Sequence, residues 1–153
     1  MTKKMLLAFS LAMGMMAHAE DVGTQDEAKA LAQKAAKYYE EKGEEAFKAF
    51  GDKAGEFVKK DLYVFIITEK GEVKFHGNNA ALNGKNMWNI KDPDGKLFIQ
   101  EMWKSASKDG AWVDYKFTHP VTKKIEPKTT YSIKVKGKGL DKEEIISVGA
   151  YKK

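Results

Sequence analysis

The sequence predicts an α+β domain built on a five-stranded antiparallel sheet, and three observations carry that expectation. Apolar residues recur at helical spacing near the amino end. From Leu62 onward the apolar period changes to two. The strand-like runs are punctuated by Gly, Pro, Asp and Asn turn signals.

The elements follow in order. Thr24-Gln25-Asp26-Glu27 is a capping box, with acids where a helix dipole favours them. Ala28, Leu31, Ala32, Ala35, Tyr38 and Tyr39 then fall on one helical face. Gly43 interrupts, and Glu44 to Phe50 reads as a second, shorter helix carrying Ala46, Phe47 and Phe50. Residues 51–60 read as a loop or helical turn around Phe57 and Val58. LYVFIITEKGEVKFHG gives two strands joined by a tight turn at Glu69-Lys70-Gly71. The first of them is apolar on both faces, so both must be covered. A loop over 78–87 and the turn Asp92-Pro93-Asp94-Gly95 lead into a helical stripe of Leu97, Phe98, Met102 and Ala106, ended by Gly110. AWVDYKF, TTYSIKVKG and EIISVGAYK are three further strands, the first two joined through His119 to Lys123.

Residues 1–19 are expected to be a secretory signal peptide. Lys3 and Lys4 precede an uncharged apolar run, and Ala17-His18-Ala19 places small residues where a signal peptidase reads. No cysteine follows for lipid attachment, and the run is short for a bilayer span. Residues 20–153 then form a single domain, exported to the periplasm or secreted, with no membrane insertion after cleavage. Removal of Lys3 and Lys4 leaves 25 lysines against 22 acids, a net +3. That mixed balance is no nucleic-acid footprint. The absence of cysteine excludes disulfides, zinc-thiolate sites and c-type haem attachment. Arginine is absent too, so any bound anion must be met by lysine, hydroxyl or backbone donors.

The segments YVFIITEKGEVKFHG, then G-K-N, D-P-D-G-K, G-x-W-V-D-Y and E-P-K-x-x-Y, then IISVGAYK, occur in an order and spacing that resembles the single Cache domain. This is the PAS-like extracytoplasmic sensor module of bacterial chemoreceptors and histidine kinases, here in a stand-alone secreted form. The resemblance implies a long N-terminal helix on one face of the sheet and a helix/loop segment over the other. It also implies a small ligand, often a short carboxylate, held between the sheet and the segment joining its second and third strands. Gly77 stands where the family often has proline, and Thr68 where it often has aspartate. No transmembrane helix flanks the domain, so signalling output is expected to require a partner.

Lys128, in E-P-K-x-x-Y, is the leading anion handle; the competing reading is one more lysine on a solvated face. Tyr131 would donate its phenol to the same anion. Strand parity sets Lys128 and Tyr131 on opposite faces unless a bulge forms at Pro127, which lacks a ladder donor. His76 ends its strand beside the covering loop, where the family often has histidine. Trp112 and Tyr115 fall on opposite faces of their strand, one toward the pocket and one toward the core. Phe65, Trp88, Phe98 and Met102 are expected walls, doubling as core. His119, in the turn with Pro120, is expected to be exposed.

Other motifs carry little. Ser105-x-x-Lys108 lacks its companion motifs, Asp92-x-Asp94-Gly95 lacks the rest of a calcium loop, and the KVKGKG lysines are edge protection. No nucleophile, base and orienting group recur at workable spacing, and no cofactor loop appears, so an enzyme is not expected. The leading expectation is a domain that senses a small organic anion by ordering residues 78–96 over the sheet. It would pass the bound state to a membrane receptor or sensor kinase in signal transduction or chemotaxis. The alternative is a ligand-free interaction module that regulates a membrane sensor or mediates dimerisation, its pocket plugged by Trp88, Trp112 or Tyr115.

Overall fold

The computed structural model describes residues 21–152; the expected signal peptide lies outside the described residues. Helix α1 spans Gln25–Lys42. Thr24 caps it as the sequence predicts, its hydroxyl accepting the Glu27 N–H while the Glu27 carboxylate accepts the Thr24 N–H. A 3-10 turn at Gly43–Glu45 precedes α2, Ala46–Gly51, so the second helix starts two residues later than predicted. Strands β1 (Val64–Thr68) and β2 (Val73–His76) form the hairpin. After a long crossing segment containing α3 (Phe98–Ser105) come β3 (Ala111–Thr118), β4 (Ile125–Val135) and β5 (Glu144–Tyr151).

The five strands pair antiparallel in the order β2-β1-β5-β4-β3. This order explains the cover. The chain leaves β2 at one edge and must reach β3 at the other, so residues 77–110 cross the whole width of one sheet face. On the opposite face α1 packs across β4 and β5. Each face buries its own apolar layer, as the two-sided pattern of β1 requires. Val64 and Ile66 meet α1 and the cluster of Tyr39, Phe50 and Phe57, while Tyr63, Phe65 and Ile67 meet Phe98, Ile99 and Met102 under the cover. Each such large side chain contributes about 1.5–3 kcal/mol by leaving water. Residues 52–60, after the end of α2, form turns and bury Phe57 against Tyr38 and Phe50.

Strand β4 is longer than predicted and takes in Pro127. The Pro127 carbonyl accepts the Lys152 N–H, so its missing donor points toward the side where β5 has already ended. The reciprocal bond that proline cannot make falls beyond the last β4–β5 pair, and β4 keeps an unbroken register against β3 from Ile125 to Ser132. No bulge forms at Pro127 to bring Lys128 and Tyr131 onto one face. The irregularity in the sheet lies instead between Ile66 and Ile67, opposite β2.

Candidate functional site

Under the cover, the centre of the sheet face is polar. Thr130 of β4 and Ser132 and Ser147 of β4 and β5 are buried there, and the two serine hydroxyls bond each other at 2.7 Å. Next to them lies Lys128, with 0% of its surface exposed. Its Nζ donates to the Tyr63 hydroxyl at 2.9 Å. Four rings surround the ammonium, with centroids at 4.8 Å (Tyr63), 5.8 Å (Phe65), 5.2 Å (Phe117) and 5.0 Å (Tyr151). Among the described residues it pairs with no carboxylate. Burial is the largest influence on Lys128 and disfavours the ammonium. Negative charge on the Tyr115, Tyr63 and Tyr151 oxygens opposes it and raises the pKa above the ordinary lysine value, a contribution that neutral phenols do not make. The site therefore holds a desolvated cation whose aromatic and phenol contacts offset its burial without neutralising it.

Gly149, on β5 beside Thr130, makes room for this lysine. A Cβ there would stand 2.2 Å from Lys128 Cε and 2.4 Å from Thr130 Oγ1. The Thr130 hydroxyl is in turn bonded to Tyr115 Oη at 2.9 Å, and the Tyr115 ring stacks on Phe98 of the cover at 4.6 Å.

His76 stands across the same pocket, its ring 4.8 Å from that of Tyr63. Its Nδ1 accepts the N–H groups of Asn78 (3.3 Å) and Asn79 (2.9 Å), which leaves Nε2 to carry the proton of the neutral ring. Burial, reinforced by the Lys128 charge, pulls its pKa from 6.5 down to about 4. Between those values the unfolded chain binds a proton that the folded domain refuses, so stability falls as pH drops through that window. The expected loss is on the order of 3 kcal/mol by the bottom of the window. Urea unfolding midpoints measured from pH 7 to pH 4 should decline along this course, and His76→Gln should flatten it.

The cover is fastened at both sheet edges. At the hairpin, Gly71 adopts φ +82°, and a Cβ there would meet the Trp88 backbone at 2.8 Å, so only glycine lets the segment lie this close. At the other edge, Asp92 Oδ1 accepts from Asp94 N and Lys96 N, while Oδ2 accepts the outward N–H of Lys116 on β3 at 3.0 Å. One carboxylate thus closes the turn and ties it to the edge strand. Asp92→Ala is expected to raise hydrogen exchange selectively at residues 92–96 and at Lys116, with the β1–β5–β4 amides unchanged.

Inside this enclosure the cavity beside Lys128 and His76 measures about 20 Å³, lined also by Phe65, Leu82, Met87 and Phe98. A cavity needs roughly 10–15 Å³ to hold one water. A carboxylate therefore enters only if a wall moves.

The sequence profile of the single Cache domain 2 family matches residues 1–152. The chain belongs to the single Cache domain 2 family. Among curated proteins, this Cache domain is 29% identical over 93 residues to the sensor histidine kinase MctS of Rhizobium johnstonii (strain DSM 114642 / LMG 32736 / 3841). That match takes in 60% of this chain and 19% of the kinase, so the chain spans about a fifth of its length. Among solved structures, a methyl-accepting chemotaxis protein from Vibrio parahaemolyticus RIMD 2210633 superposes with a TM-score of 0.66 at 23% identity, over 82% of this chain and 86% of that one. A Cache chemosensory domain described for carboxylic acid recognition superposes at 0.60 and 23% identity, over 82% and 88%. These likenesses share the fold: a PAS-like antiparallel sheet with a long N-terminal helix behind it. No helix among the described residues is long and apolar enough to cross a membrane, and no group of three His, Asp or Glu gathers there to hold a metal.

The Cache pocket brings together Lys128, His76, Tyr115, Phe65 and Phe98 of the predicted set. Met102 is fully buried beneath it as core, and Trp88 packs at its margin in the cover. Two expectations need correction. Tyr131 and Trp112 lie on the α1 face, across the sheet from Lys128. With β4 unbulged, the period of two turns Tyr131 away, and its ring meets Trp112 at 5.0 Å while its hydroxyl donates to the Asp109 carbonyl. His119, expected to be exposed, is 5% exposed and bonded to Asp61. Sequence reasoning missed Tyr63, Phe117, Tyr151 and Gly149. Parity with Phe65 signals Tyr63, parity with Tyr115 signals Phe117, and a glycine inside an apolar strand signals close approach by a neighbour; nothing local signals Tyr151.

Proposed function

We propose that this Cache domain is a periplasmic sensor for a short monocarboxylate, passing its bound state to a membrane receptor or sensor kinase in signal transduction or chemotaxis. One observation carries the reading. Lys128 is a fully buried ammonium, caged by rings and a phenol, with no carboxylate partner among the described residues. A ligand carboxylate supplies the missing counter-charge. The Tyr63 O–H and the His76 Nε2–H are two further donors on the same cavity, and the remaining walls are apolar. A single cation with apolar surroundings favours one carboxylate over two, because a second would be buried unpaired. Carboxylic acid recognition in a structural neighbour and the kinase and chemotaxis relatives support the class of ligand and of partner. Export rests on the signal-like residues 1–19, and mass spectrometry of the periplasmic protein should find Glu20 as its first residue.

Thermal-shift measurements on residues 20–153 test the reading with acetate, propionate, lactate and pyruvate against succinate and citrate. Stabilisation by one or more monocarboxylates is expected, and a flat response to all of them would overturn it. A ligand-free interaction module is the second reading, favoured by the closed cavity of about 20 Å³. It requires that flat response together with capture of a protein partner by crosslinking in the periplasm.

A further inference from the structure

One wall of the Lys128 cage has open space behind it. Tyr63 and Phe65 belong to the packed layer under the cover, whereas Tyr151 lines a second cavity of about 620 Å³ at the β3–β4 turn. The Tyr151 ring lies 5.0 Å from Lys128 Nζ and 4.3 Å from the ring of His119. Its hydroxyl donates to the Thr118 carbonyl at 2.7 Å. His119 Nδ1 accepts the N–H groups of Val121 (3.1 Å) and Thr122 (3.3 Å), so Nε2 carries the proton and donates to Asp61 Oδ2 at 3.2 Å. Asp61 Oδ1 accepts the Gly23 N–H at 2.7 Å, one residue before the cap of α1. Tyr151, His119 and Asp61 are all buried.

We propose that Tyr151, His119 and Asp61 form a relay that carries occupancy of the Lys128 site to the start of α1. The inference rests on the reading of Lys128 as the anion handle and adds how that site is coupled to the rest of the domain. The inner cavity must enlarge to admit a carboxylate; Tyr151 is not in its lining but stands against the Lys128 ammonium, with room to retreat toward the second cavity. An anion paired with Lys128 draws the ammonium off the Tyr151 face, since a buried charge pair outweighs a single cation–π contact. The released ring moves toward the second cavity and against His119. The His119–Asp61 bond then transmits the shift to the only side-chain acceptor of the Gly23 N–H among the described residues. Two discrete arrangements, ring on Lys128 and ring toward the cavity, give the relay the bistable element that coupling needs.

Hydrogen exchange on residues 20–153 tests the relay, using as probe whichever of acetate, propionate, lactate or pyruvate stabilises the protein most. The probe is expected to change exchange over residues 21–31 by about threefold or more, along with the cover. In His119→Asn, and in the near-isosteric Asp61→Asn as a second variant should the first be unstable, the response over 21–31 is expected to vanish. The thermal shift and the response of the cover remain in both. Binding without any response at 21–31 in the wild type, or a response that persists in both variants, overturns the relay and leaves the anion site standing. Failure of all four monocarboxylates to bind overturns both.

Discussion

Lys128→Met is expected to abolish carboxylate binding while leaving the unliganded domain at least as stable as the wild type. The two effects have one origin. A buried ammonium costs several kcal/mol to desolvate. Around Lys128 that cost is offset by cation–π contacts of about 0.5–2 kcal/mol each and one phenol hydrogen bond. Methionine fills most of the same volume among Tyr63, Phe65, Phe117 and Tyr151 with no charge to desolvate. Apolar replacement of buried charge is commonly neutral or stabilising, so the midpoint of thermal unfolding should hold or rise by a few degrees, about 4 °C per kcal/mol. Binding has no such compensation. Losing the cation opposite a buried carboxylate costs about 2–5 kcal/mol, a factor on the order of 100 or more. Calorimetric titration and thermal melts of the same preparation check both halves. A variant that loses stability and keeps binding would remove Lys128 from the site.

Gly149→Ala is expected to destabilise the domain by about 1–3 kcal/mol and to weaken anion binding strongly. The added methyl meets Lys128 Cε and Thr130 Oγ1 at distances no packed pair tolerates. Neither neighbour yields easily. Lys128 is ringed on its far side, and Thr130 is held to Tyr115, which is stacked under Phe98. The strain therefore reaches the ammonium itself and displaces it from Tyr63. Removing the stem as well, in Gly149→Ala with Lys128→Ala, should recover part of the lost stability while binding stays absent. Urea unfolding of the two single variants and the double variant measures that coupling directly. Additive effects would mean that Gly149 does not position Lys128.

Much of the architecture was legible because it rests on local chemistry. The Thr24–Glu27 capping box forms as written, since both partners lie within one helical turn. The two-sided apolar pattern of residues 62–67 forecast a sheet covered on both faces, and each face buries its own layer. Lys128 stood out because a chain without arginine has few ways to hold an anion, and its motif matched a known sensor family. Its conflict with Tyr131 was also visible. The unbroken β3–β4 register resolves that conflict by the period of two.

The polypeptide sequence by itself determined the elements, their faces and Lys128 as a candidate. Each follows from spacing within a few residues, where backbone periodicity fixes direction. Only the tertiary structure decided that Lys128 is a caged cation, because Tyr63 just before β1, Phe65 of β1, Phe117 of β3 and Tyr151 of β5 converge on it from separate parts of the sheet. It also decided that His119 is buried, since Asp61 lies 58 positions away in sequence. Strand order brings such residues together, and strand order is set by packing of the whole sheet against its helix and cover. No local stretch of sequence encodes it.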